Sequence, residues 1–217
     1  MIKFEHVAKT YEETGQTALD DISFEIKSGS FTYVTGESGS GKSTLIKMIL
    51  GEEKADHGSV EIDGVDVGKL DSKKMSDYRR SLGVIFQDYR LMQEETVYEN
   101  IALPLKIRGV SKNHISKQVS YTLSLIGMTN KYNRLPKEIS GGEQQKVCLA
   151  RAIVDNPRIL LCDEPTANLD PKFSNEVVKL LEIINQRGVT VVMATHDQEL
   201  INPMHDKIIL KQGRMSK

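Results

Sequence analysis

Three short stretches of this 217-residue chain hold residues whose types and spacing could do chemistry. Gly36-Glu37-Ser38-Gly39-Ser40-Gly41-Lys42-Ser43 fits G-x-x-x-x-G-K-[ST] in full, between the β-type run FTYVT and the helix-compatible run STLIKMIL. Phosphate oxygens must be approached by main-chain N–H groups, and Cβ atoms would obstruct that approach. Gly36, Gly39 and Gly41 permit the wrap, and the helix that follows turns its positive end toward the anion. Lys42 is expected to neutralise β- and γ-phosphates, the Ser43 hydroxyl to ligate Mg²⁺, and Glu37, Ser38, Ser40 and Thr44 to complete the cradle. The second stretch, Ile159-Leu160-Leu161-Cys162-Asp163-Glu164, is an apolar run ending in two carboxylates. Such a pair is costly unless a cation or a reacting water uses it. Asp163 is expected to hold Mg²⁺ through water and Glu164 to polarise the water that attacks the γ-phosphate. Acid pairs also commonly begin surface loops; the phosphate loop in the same chain gives this one its chemical reading. The third stretch, Ser140-Gly141-Gly142-Glu143-Gln144-Gln145, opens a helix with Ser140 placed as N-cap. It is either an ordinary capped helix or a second anion-binding helix end.

The elements that must position these residues follow from periodicity. Short β-type runs dominate the first third: Ile2 to Val7, Ile22 to Ile26, Phe31 to Thr35 and Ser59 to Ile62, with Leu82 to Phe86 as a further buried strand. From Thr96 to about Val154 apolar residues recur at helical spacing. Strand and helix then alternate: Ile159 to Cys162, a helix over Phe173 to Gln186, Val189 to Thr195, a short helix near Glu199, and Ile208 to Leu210. Strands separated by helices imply a parallel sheet covered on both faces. The expectation is an α/β core (1–87 and 151–217) with an antiparallel β N-terminal portion and a helical insertion at about 88–150.

Composition narrows the function classes. Lys plus Arg is 29 and Asp plus Glu 30, for a net charge of -1, which provides no bulk attraction to nucleic acid or anionic lipid. Cys148 and Cys162 sit in apolar segments and read as small core residues of a protein kept in a reducing compartment. No run approaches the roughly 20 apolar residues that cross a bilayer, so membrane association is expected only through a partner.

In their order, Gly36–Ser43, Gln87, Ser140–Gln144, Asp163-Glu164, Asn168-Leu169-Asp170 and His196 resemble the motifs of ATP-binding-cassette ATPases, over nearly the whole chain. The resemblance implies a phosphate-loop NTPase with a RecA-like core, ATP and Mg²⁺ as cofactors, and a homodimer that sandwiches ATP head to tail. Ser140, Gly141, Gly142 and Glu143 would then contact ATP held by the other copy. It also implies that Gln87 touches Mg²⁺ and the attacking water, that His196 contacts the γ-phosphate, that Tyr11 stacks on adenine, and that Asp170 links the two sites. Ile139 and Cys162 depart from the family's commoner residues but keep apolar character. The family's long coiled-coil relatives cannot fit in this length, and no Asn-Lys-x-Asp guanine reader is present.

Within the family, FQDYRLM, TVYENIALPL and VVMATHD resemble the short cassettes of bacterial cell division. Cassettes of lipoprotein release and macrolide export share most of these residues. The resemblance implies an integral membrane partner, peripheral location on the cytoplasmic face of the plasma membrane, and no nucleic acid. Tyr89, Leu91 and Met92 are either the surface on which that partner docks or internal packing.

Overall fold

The computed structural model describes residues 1–216. The first half of the chain contains β1 (Ile2–Tyr11), β2 (Gln16–Ile26), β3 (Phe31–Thr35), α1 (Lys42–Ile49), β4 (His57–Ile62), β5 (Val65–Asp66), α2 (Ser72–Arg80), β6 (Leu82–Ile85) and α3 (Val97–Ile107). The second half contains α4 (Lys112–Leu125), α5 (Gly141–Ile153), β7 (Ile159–Asp163), α6 (Pro171–Asn185), β8 (Thr190–Thr195), β9 (Asp206–Lys211) and β10 (Arg214–Ser216).

Two sheets result. One has the order β2-β1-β4-β5 and is antiparallel; the other has the order β10-β9-β3-β8-β7-β6 and is parallel except for β10. The parallel sheet is apolar on both faces, and strand alternation divides its residues between two cores. Leu160 and Cys162 of β7, with Val191 and Met193 of β8, pack among residues of α3, α4, α5 and α6. Ile159 and Leu161, with Val192 and Ala194, face α1 and the antiparallel sheet. Both cysteines are buried and free, as their apolar settings predict.

The helical layer comprises α3, α4 and α5, and α5 runs on to Ile153 with Val147, Cys148, Leu149 and Ala150 buried against the sheet. Apolar periodicity misses α2, because no residue of SKKMSDYRR is buried. That helix is held by polar anchors: Asp71 caps it by accepting from the Lys74 N–H at 2.8 Å, and Arg79 donates to the carbonyls of Leu50 at 2.9 Å and Gly51 at 2.8 Å. The short strands β5 and β10 also lie outside the sequence expectation, being too brief to show alternation. Among the described residues no helix is long and apolar enough to cross a membrane.

The structure corrects one expected surface residue. Leu91 is 6% exposed and belongs to the core under the helical layer, so it has no surface to offer a partner. Tyr89 packs against the same core and is only partly open. Met92 is half-buried, its backbone bonded in both directions to the Asn100 side chain.

Candidate active site

The parallel register brings the chemistry to one edge. Thr35 pairs with Thr195, Ala194 with Asp163, and Cys162 with Ile85. The residues just beyond these strand ends, Gly36, His196, Glu164 and Gln87, therefore leave the sheet side by side at its carboxyl end, where open α/β sheets bind ligands. Tyr11, Gln16, Ala18, Ser38, Gly39, Gly41, Lys42, Ser43, Thr44, Gln87, Glu164 and His196 line one cleft of about 370 Å³.

The loop after β3 reaches α1 through Gly41, whose φ of 106° is open to glycine and strained for other residues. A Cβ there would also lie 2.4 Å from the Ala18 carbonyl oxygen, so the antiparallel sheet closes one side of the loop. Lys42 Nζ donates to the carbonyls of Gly36 at 2.9 Å and Glu37 at 3.0 Å, and pairs with Glu164 Oε1 at 3.4 Å. Its ammonium is thus held inside the site by two carbonyls and one carboxylate. Gly36, Glu37 and Ser40 lie on the other flank of the loop, in a hollow toward the β9–β10 hairpin, while Ser38 and Gly39 line both spaces.

Glu164 is held in a left-handed conformation with φ of 49°, its N–H donating to the Ala194 carbonyl at 3.0 Å. A non-glycine residue in that region stores strain of about 1–3 kcal/mol, which neighbouring structure must overcome. Its side chain is 11% exposed and lies 2.9 Å from His196 Nδ1, so Lys42 and His196 grip the two carboxylate oxygens separately. Asp163 accepts a hydrogen bond from the Ser43 hydroxyl at 3.1 Å. Burial pushes its carboxyl above the usual carboxylate range, and the Ser43 bond opposes the shift. A hydroxyl beside a carboxylate is a hard-oxygen pair suited to Mg²⁺, which commonly takes one or two protein ligands and fills its octahedron with phosphate and water. Among the described residues no cluster of three or more His, Cys, Asp or Glu side chains offers a self-sufficient metal site.

Tyr11 stands at the cleft mouth, its hydroxyl 3.2 Å from the Thr44 hydroxyl. Gln16 and Ala18 of β2 also line the cleft, and no motif marks them in the sequence. Asp170 caps α6, accepting from the N–H groups of Lys172 at 3.0 Å and Phe173 at 3.1 Å.

Ser140, Gly141, Gly142 and Glu143 lie outside this cleft. Ser140 and Glu143 form a capping box: the Glu143 N–H donates to Ser140 Oγ at 3.3 Å, and the Ser140 N–H donates to Glu143 Oε2 at 2.9 Å. Glu143 is occupied in this way and pairs with Lys131 at 3.4 Å, while the N–H groups of Gly141 and Gly142 have no partner among the described residues. Gly142 has a packing role as well, since a Cβ there would lie 2.5 Å from the Phe173 ring. Gln145, fully buried, donates to the Pro165 carbonyl at 2.5 Å and so ties α5 to the loop that carries Glu164.

Comparison with known proteins agrees with this geometry. The ABC transporter family profile matches residues 19–167. The chain is 44% identical over 216 residues to the cell division ATP-binding protein FtsE of Mycobacterium tuberculosis, covering 99% of this chain and 94% of that one. It is 45% identical over 202 residues to FtsE of Escherichia coli K12, covering 93% and 90%. A dimeric structure of MJ0796, described as a bacterial ABC transporter cassette, superposes with a TM-score of 0.91 at 35% identity, covering 100% of this chain and 97% of that one. A dimeric post-hydrolysis state of the same cassette bound to ADP and Pi gives 0.90 at 35% identity, covering 100% and 98%. A glycine-rich loop, an acid pair and His196 on one sheet edge, with these likenesses over nearly the whole chain, make this protein a member of the ABC transporter ATPase family.

Proposed function

We propose that this chain is the ATP-hydrolysing subunit of an FtsE-type membrane complex. Two copies close around ATP, and the cycle of closing and opening passes to an FtsX-type integral membrane partner that controls cell-wall hydrolysis during division. In this reading the chain sits on the cytoplasmic face of the membrane and is attached through that partner.

The observation that carries the reading is the separation of the two anion-ready ends. The phosphate loop, Lys42, Glu164 and His196 share one cleft, while the Ser140 turn, with the N–H groups of Gly141 and Gly142 unpaired among the described residues, lies outside it. A γ-phosphate in the cleft is met by the Ser140 turn only if that turn comes from a second copy.

Lys42 leaves the Glu37 and Gly36 carbonyls for the phosphates, Tyr11 covers the base, and loop N–H groups hold the phosphate oxygens. Ser43, Asp163 and Gln87 would hold Mg²⁺, which when bound would supply charge that neutralises part of that of the triphosphate. Glu164, released from Lys42, accepts a proton from the attacking water, and His196 steadies the carboxylate and the γ-phosphate edge. Once the γ-phosphate has left, the opposing Ser140 turn loses the charge that favoured closure, and the dimer opens. Glu164→Gln protein with ATP should double its mass in light scattering and return to monomer with ADP. A particle that stays monomeric at every ATP and protein concentration would overturn the head-to-tail reading.

A further inference from the structure

The segment from Phe86 to Met92 joins the cleft to the helical layer, and it is held far more firmly than a surface loop. Arg151 of α5 donates from Nη2 to the Tyr89 carbonyl at 2.9 Å and from Nη1 to the Arg90 carbonyl at 2.6 Å. Cys148, one turn earlier on α5, donates its thiol to the same Tyr89 carbonyl at 3.1 Å. Arg90 adopts a left-handed φ of 48°, and its guanidinium lies 3.7 Å from the centre of the Phe86 ring. On the far side, Asn100 of α3, fully buried, bonds both the N–H and the carbonyl of Met92. Within this segment only Gln87 lines the cleft.

The Tyr89 side chain closes the circuit. Its hydroxyl stands beside Gly141, where an added Cβ would lie 3.3 Å from it. The same residue thus stands beside the Ser140 turn with its side chain and is clamped to the shaft of α5 through its backbone.

We infer that Arg151 is a positioning residue for ATP turnover: by clamping Tyr89 and Arg90 it makes the Gln87 segment and the Ser140 turn move as one body. A displacement of Gln87 toward a ligand in the cleft then shifts the Ser140 turn of the same copy, which faces the other copy's nucleotide. A planar guanidinium on two successive carbonyls fixes both position and orientation; a lysine ammonium keeps the charge and loses the fork. Neither Arg151 nor Tyr89 lines the cleft, so neither contacts a nucleotide held by the same copy.

The inference rests on the dimer reading above, and the experiment separates the two. Full-length Arg151→Lys and Tyr89→Ala are compared with wild type for ATP affinity, kcat and KM, and in the Glu164→Gln background for ATP-driven dimerisation by light scattering. For both variants we expect ATP affinity and KM within twofold of wild type. For Arg151→Lys we expect kcat about tenfold lower and half-dimerisation at about tenfold higher protein concentration, the loss that one charge-assisted hydrogen bond represents, and for Tyr89→Ala a smaller loss of the same kind. A merely structural role would lower ATP affinity and thermal midpoint together with kcat, and that result overturns the inference. Unchanged kcat and dimerisation in both variants overturn it as well. Failure of the Glu164→Gln parent to dimerise overturns the dimer reading and this inference with it. Should Arg151→Lys not fold, Arg151→Gln, which can still donate to one carbonyl but loses the charge and the fork, decides by the same criteria.

Discussion

Neutralising Glu164 tests the ligand-free geometry most directly, because its carboxylate and the incoming triphosphate compete for one ammonium. Lys42 is 6% exposed and lies 3.4 Å from Glu164, and its ammonium also donates to two backbone carbonyls. At an effective dielectric constant of about 20, unit charges at that distance attract by about 5 kcal/mol gross. ATP has to replace that attraction, and it also brings its own negative charge next to the Glu164 carboxylate. Water in an open cleft screens most of this, leaving about 1–2 kcal/mol in the balance, a factor of about ten in affinity. Glu164→Gln should therefore bind ATP about tenfold more tightly than wild type. Its turnover should fall by about 10²–10⁴, the contribution of a positioned general base. Fluorescent-ATP titration gives the affinity, and phosphate release under saturating ATP gives the rate. Weaker binding would refute the competition for Lys42, and turnover within tenfold of wild type would refute Glu164 as the base.

Lys42→Ala should weaken ATP binding by about a hundredfold, equivalent to about 3 kcal/mol of charge-assisted hydrogen bonding, in the same titration. Ser140→Ala should leave ATP affinity within twofold but abolish the ATP-dependent dimer, and the lost cap should cost about 1 kcal/mol in a urea melt. Gly142→Ala should destabilise the fold by about 1–3 kcal/mol, since its Cβ would press on the Phe173 ring at 2.5 Å; Phe173→Leu in the same chain should recover part of the loss. The Ser140 N–H holds the Glu143 carboxyl below its ordinary value of 4.5. A carboxyl lowered in the folded state stabilises above its unfolded value, and that stability is lost as pH falls through the folded value. The difference in urea midpoint between wild type and Glu143→Gln should thus be present at pH 7 and vanish toward pH 3, measured about every half unit.

Much of this protein is legible along the chain. The phosphate loop is readable from Gly36 to Ser43 because its constraint is local: a backbone that must wrap an anion excludes Cβ atoms at fixed spacing. The buried strands β3, β7 and β8 announce themselves as short apolar runs because both faces of a parallel sheet are covered. The helices that contribute an apolar stripe are equally visible. α2 is not, since only Met75 and Tyr78 of its nine residues pack on the core and backbone carbonyls just past α1 hold Arg79, which leaves too short a periodic trace.

Motif order could name Gln87 and His196, but neither residue says locally that it will stand in the phosphate-loop cleft; the register of four parallel strands decides that. The left-handed Glu164 between Lys42 and His196, the cleft wall made by Gln16 and Ala18, the burial of Leu91, and the Arg151 clamp on Tyr89 likewise exist only in three dimensions. Motifs and periodicity depend on neighbours within a turn or a strand, which residue type and spacing encode directly. Convergence depends on contacts between segments tens of residues apart, and only packing and sheet pairing choose among the many arrangements the same local pattern allows.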